Sequence, residues 1–141
     1  MRFFVLTAAL FLASGARAQD AAEFLDGLMA VAEFEAMEEG MSLVHGMEVG
    51  SYEGFTSMHE VELQAGVEYL VVVVTDIVGE LDPDVYVEDP EVEPLAAGEG
   101  EGTEEKVRFT APVSGTYTLS VELYGCETDD CAYGIAVFAA E

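Results

Sequence analysis

Two histidines, His45 and His59, are the only imidazoles in the 141 residues, and Met29, Met37, Met41, Met47 and Met58 fall in the segment around them. Imidazole and thioether donors together suit copper. If "GSYEG" (50–54) turns a hairpin symmetrically about Tyr52, His45 faces His59 across two strands, with Met47 beside them. The register is not set by the sequence alone, and a methionine on an inward strand face is ordinarily core filler. The same facing pair, if formed, would gain charge below about pH 6.5 and loosen the hairpin. A second cluster suits a hard cation. Asp82, Asp84, Glu88 and Asp89 surround a proline-rich turn in "DPDVYVEDP" (82–90), and Ca²⁺ wants several oxygen ligands. The plain alternative is a solvated turn with Asp84 capping the backbone, since neither EF-hand nor nonapeptide spacing is present.

Nucleophilic catalysis finds little support. Cys126 and Cys131, in "CETDDC" (126–131), are an even, closely spaced pair that reads as a disulfide in an oxidising compartment. The pair lacks the further ligands and spacing of a zinc site. No Gly-x-Ser-x-Gly elbow occurs, and carboxylates are so abundant that any acid–base dyad is uninformative. The chain therefore reads as a non-enzyme. Without tryptophan, and with tyrosines scattered, it offers no flat platform for a carbohydrate.

Charge narrows the partner class. Residues 1–18 have a signal-peptide pattern: Arg2, the apolar run "FFVLTAALFLAS", and a small-x-small site at Ala16, Arg17 and Ala18. All 29 acidic residues follow Ala18, and only Lys106 and Arg108 then remain as fixed cations. Such a field repels nucleic acid phosphate and anionic headgroups, which excludes both as partners. It accommodates cations or a basic protein, and it also keeps a protein soluble in saline surroundings. After residue 18 the longest aliphatic run, "LVVVV" (70–74), has strand length, so no membrane insertion is expected. The product is expected in the periplasm or the medium.

The positioning elements follow from periodicity. Residues 20–39 form one expected helix, with Asp20 and Glu23 as a capping box and Leu25, Leu28, Met29, Ala32 and Ala36 as an apolar stripe. From Met41 onward the period is two. Strands are expected at 41–49, 55–63, 67–76, 84–89, 105–110, 116–124 and 132–139. Val71, Val72, Val73 and Val74 leave no polar face, which marks a central strand covered on both sides. "AAGEGEGTEE" (96–105) reads as a flexible acidic loop. Short strands between Gly/Pro turns predict an all-β antiparallel sandwich at 41–141, preceded by a helical extension at 19–40.

The segments "ELQAGVEYLVVVV", "DPDVYVEDPEVEPLA", "VRFTAPVSGTYTLSVELY" and "YGIAVF" resemble, in their order, the bacterial pre-peptidase C-terminal domain. The resemblance covers about 41–141 and rests most on Asp-x-Asp-Val-Tyr-Val at 82–87 and Phe-Thr-Ala-Pro…Gly-Thr-Tyr-Thr-Leu at 109–119. It implies a jelly-roll β-sandwich, usually appended to secreted peptidases. No peptidase precedes the domain in this sequence, and the helical extension lies outside the resemblance. The implied role is a non-catalytic binding or accessory module for an extracellular protein or polymer, with Ca²⁺ as a structural ligand in some collagen-binding members. The alternative is a periplasmic cation-handling protein, using Ca²⁺ on the acidic loops or copper on the Met/His hairpin.

Overall fold

A computed structural model describes residues 12–52, 56–75, 81–126 and 131–141, with side chains placed except at 12–21 and 47–52. One helix, α1 (Leu12–Glu38), precedes β1 (Met41–Tyr52), β2 (Ser57–Leu63), β3 (Glu68–Thr75), β4 (Asp82–Glu88), β5 (Pro94–Gly98), β6 (Glu104–Thr110), β7 (Gly115–Tyr124) and β8 (Cys131–Ala140). The strands form two antiparallel sheets. Sheet I has the order β1-β8-β3-β6 and sheet II the order β2-β7-β4-β5. Successive strands alternate between the sheets except at the β4–β5 pair, which is the jelly-roll arrangement expected from the sequence.

The core lies between the sheets. Tyr117, Leu119, Val121 and Leu123 point inward from β7, as the alternation of that strand predicts, and pack with Val85 and Val87 of β4 and Val71 and Val73 of β3. The "APVSG" turn before β7 is fixed from both sides. Ala111 exchanges backbone hydrogen bonds with the 64–67 turn: Gly66 N donates to Ala111 O (2.8 Å) and Ala111 N to Val67 O (3.1 Å). Gly115 has φ 154°, and a Cβ there would lie 2.8 Å from Pro90 Cγ, so no other residue fits without movement.

β3 has a second apolar face. Leu70, Val72 and Val74 point away from the sandwich interior and, with Ala136 and Phe138 of β8, meet Leu25, Met29, Ala32 and Ala36 of α1. The expected apolar stripe of the helix therefore docks on sheet I. The described part of the helix already includes 12–20, so the capping box expected at Asp20 does not begin it. Its far end stops at Gly40, whose φ of 75° permits the reversal into β1.

Charge reinforces this docking. Lys106 on β6 pairs with Glu35 of α1 (2.7 Å) and with Glu104 (2.6 Å). Arg108 pairs with Glu39 after the helix and with Glu68 on β3 (3.6 Å). Exposed pairs like these contribute only about 0–1 kcal/mol each, so apolar burial carries the contact and the ion pairs orient it.

Two expectations change. β1 and β2 do not form a hairpin: β1 pairs with β8 and β2 with β7, in opposite sheets. β1 also carries register shifts between Leu43 and His45 and between His45 and Glu48, which break the strict alternation expected along 41–49. The acidic loop expected at 96–105 begins instead as β5, an edge strand. Gly98 lies so close to β6 that a Cβ would meet Val107 Cγ2 and Glu105 Oε1 at 2.6 Å. A glycine required for close backbone approach resembles, in sequence, a glycine in a flexible loop.

The buried Tyr117 donates its hydroxyl proton to Val113 O (2.7 Å) and so ties β7 to its own turn. Tyr117→Phe is expected to lower unfolding free energy by about 1 kcal/mol, read by urea denaturation with an unchanged m-value.

Candidate functional site

α1 covers the outer face of sheet I, so the outer face of sheet II is the broad strand surface open to a ligand. Its composition follows from register. Asp82, Asp84, Tyr86 and Glu88 of β4 stand opposite Tyr124, Glu122, Ser120 and Thr118 of β7. On the far side of β7, Met58, Glu60 and Glu62 of β2 stand opposite Ser120, Thr118 and Thr116. Met58 is 70% exposed and Tyr124 is 53% exposed. Lys106 and Arg108 belong to β6 of the other sheet, so among the described residues this face holds carboxylates and phenols without a fixed cation.

The carboxylates are organised by hydrogen bonds. The Tyr86 hydroxyl lies 3.3 Å from Asp84 Oδ2 and 3.2 Å from Glu99 Oε1. Tyr124 donates to Glu122 Oε2 (3.2 Å), Thr56 donates to Glu122 Oε1 (3.0 Å), and Thr116 donates to Glu62. Asp84 is only 8% exposed. Desolvation, then the negative charges of Asp82, Glu99 and Glu105, raise its pKa above the ordinary aspartate value, against the lowering effect of the Tyr86 bond. Burial and the neighbouring Asp84 charge likewise push the Tyr86 phenol upward. Hydrogen bonding and charge from Glu122 push up the exposed Tyr124. Both phenols therefore remain protonated donors at neutral pH. Asp84 directly opposite Glu122 is a like-charge cross-strand pair, which is destabilising on its own.

The four carboxylates considered for calcium are spread along the strand. Asp82, Asp84 and Glu88 share the outer face, whereas Asp89 turns into the β4–β5 connection and accepts from Glu91 N (2.9 Å) and Glu93 N (3.0 Å) through Oδ1. Asp82 Oδ1 accepts from Gly102 N (3.1 Å) beside an open depression of about 420 Å³ lined by Leu81, Asp82, Glu101, Gly102 and Thr103. Among the described residues no three His, Cys, Asp or Glu side chains gather closely enough to hold a metal ion.

The facing histidine pair is corrected by the topology. His45 is registered with Val137 of β8, and His59 with Leu119 of β7. His59 Nε2 lies 2.7 Å from the Tyr133 hydroxyl, the rings meeting edge-on at 5.7 Å between centroids. Tyr133 and Val137 stand four residues apart on β8, about 13 Å at the usual strand rise. His45 and His59 thus serve different parts of the sandwich, and the side chain of Met47 lies outside the described residues. The Cys126–Cys131 disulfide forms as expected, closing the β7–β8 turn with a Cα separation of 6.1 Å. The His59–Tyr133 bridge between sheets was not foreseeable, because its partners are 74 residues apart and the apparent hairpin directed His59 elsewhere.

Comparison with known proteins now places the fold. Residues 56–123 match the family model of the bacterial pre-peptidase C-terminal domain. Over these residues the β-sandwich is similar to that family. Among solved structures, the pre-peptidase C-terminal domain of a Bacillus anthracis collagenase superposes with a TM-score of 0.53 at 18% identity, covering 67% of this chain and 89% of that one. The periplasmic g-type lysozyme inhibitor of Aeromonas hydrophila gives a TM-score of 0.48 at 17% identity over 71% of this chain and 86% of that one, too loose to bear on function. A search of the curated proteins finds no match to this chain. Pre-peptidase C-terminal domains are non-catalytic accessory modules. α1 precedes the matched segment, so the cover over sheet I is additional to the part of the sandwich that matches.

The raised pKa of Asp84 has a defined sign. Its folded state binds a proton more tightly than the unfolded chain, so the stabilisation is complete below the ordinary value of 3.8 and is lost as pH rises through the folded value. At pH 7, Asp84→Asn is expected to raise stability by up to about 1 kcal/mol by removing a desolvated charge that also opposes Asp82, Glu99 and Glu105. The gain is expected to shrink as pH approaches 4, which thermal melts across pH 4 to 7 would read.

Proposed function

We propose that this protein is an exported, non-catalytic binding module whose open face on sheet II engages a cationic segment of an extracellular protein or polymer. One observation carries the reading: α1 and both fixed cations occupy the outer side of sheet I, while sheet II presents Asp82, Asp84, Glu88, Glu99, Glu122, Glu60 and Glu62 around Tyr86, Tyr124 and Met58. Lysine and arginine fit such a surface twice over. The charged head meets carboxylates, and the alkyl stem or guanidinium plane lies on the exposed Tyr124 ring and the Met58 thioether. The carboxylates are pre-positioned by the Tyr86, Tyr124, Thr56 and Thr116 hydroxyls, which lowers the ordering cost of capture. The accessory character of the family, the disulfide and the signal-like residues 1–18 support an exported setting.

The test is calorimetric titration with an oligolysine and an oligoarginine, with Ca²⁺ and Mg²⁺ at matched ionic strength as comparators. Micromolar binding that weakens with salt, and about tenfold more in a Glu122→Gln/Tyr124→Ala variant of unchanged melting temperature, supports the reading. Equal affinity for that variant, or an isotherm reproduced by Ca²⁺ alone, contradicts it.

A further inference from the structure

α1 carries apolar side chains on two faces. Leu25, Met29, Ala32 and Ala36 enter sheet I. Phe24, Val31 and Phe34, spaced seven and three residues apart, lie on the side away from it and are 38%, 56% and 61% exposed. Gly27 stands among them, one turn from Phe24 and one from Val31. A Cβ added at Gly27 would meet nothing within 4 Å. No contact among the described residues calls for glycine there, although glycine is among the least favourable residues for a helix interior. A glycine at the centre of an exposed apolar stripe leaves a notch into which a second helix can bring its backbone close.

The rim of the stripe specifies the occupant. Glu23, Asp26, Glu33 and Glu38 of the same helix are all exposed around it. Lys106 and Arg108 reach the helix on its other flank, at Glu35 and Glu39. We infer that the outer face of α1 is a docking surface for an amphipathic helix of a cationic partner, its apolar stripe seated over Gly27 and its flanking lysines or arginines paired with this acidic rim. A second copy of the chain would bring two identical acidic rims together, and an anionic membrane would be repelled by the same charges. The surface is separate from sheet II, so its occupancy does not depend on cation capture there.

The probe is a labelled Leu/Lys amphipathic peptide about 18 residues long, compared by fluorescence anisotropy with a scrambled peptide of identical composition that has no helical stripe. The purified protein is expected to bind the striped peptide at least about tenfold more tightly than the scrambled one. Gly27→Gln and Phe34→Ser are each expected to weaken that binding by about tenfold, while Glu122→Gln on sheet II leaves the preference for the striped peptide intact. Gly27→Gln favours the helix, so its melting temperature should hold or rise; Phe34→Ser alters an exposed side chain and should leave it unchanged. Equal binding of both peptides would reduce the effect to charge and overturn the inference. Undiminished binding by both α1 variants would overturn it as well, as would self-association by sedimentation velocity that Phe34→Ser abolishes, which would make the occupant a second copy.

Discussion

Burying both faces of β3 requires a layer outside sheet I, and α1 supplies it. Val71 and Val73 enter the sandwich while Leu70, Val72 and Val74 face outward. Leaving that second face in water would forfeit roughly 1.5–3 kcal/mol for each large aliphatic side chain. The small residues Ala32 and Ala36 let the helix approach closely over Val72, Ala136 and Phe138. The reversal at Gly40 folds the helix back onto sheet I, where it lies over β3 and β8.

This closure divides the molecule. Both fixed cations beyond residue 18 lie on β6, where they pair with Glu35, Glu39, Glu68 and Glu104 at the flank of the docked helix. Sheet II is left with an outer face of carboxylates and phenols that no lysine or arginine among the described side chains neutralises. Asp84, desolvated and set among Asp82, Glu99 and Glu105, is retained at some cost in stability, which fits a surface whose charge serves a partner rather than the fold.

Much of the architecture was legible in the sequence because it is local. Alternation in 116–124 marked the inward residues of β7, the unbroken apolar run marked β3 as covered on both sides, and the stripe through Leu25, Met29, Ala32 and Ala36 marked the docking face of α1. What failed was non-local. The "GSYEG" segment reads as a hairpin turn, yet the chain there passes from one sheet to the other, so His45 and His59 separate. The acidic face of sheet II was half visible: the period of β4 puts Asp82, Asp84, Tyr86 and Glu88 together, whereas their alignment with Glu122 and Tyr124 depends on a pairing across some forty residues. β5 escaped notice because Gly98 is demanded by its neighbour on β6 and not by its own flexibility.

Native-state amide hydrogen exchange, resolved by residue, tests this division most directly. If α1 is an integral layer over sheet I, the amides of Met29, Ala32 and Ala36 exchange with opening free energies close to those of Val72 and Val73, in one cooperative unit. Exchange of the α1 amides orders of magnitude faster than those of β3, with β3 still protected, would show that sheet I stands without its cover and would contradict the separation of a closed face from an open one.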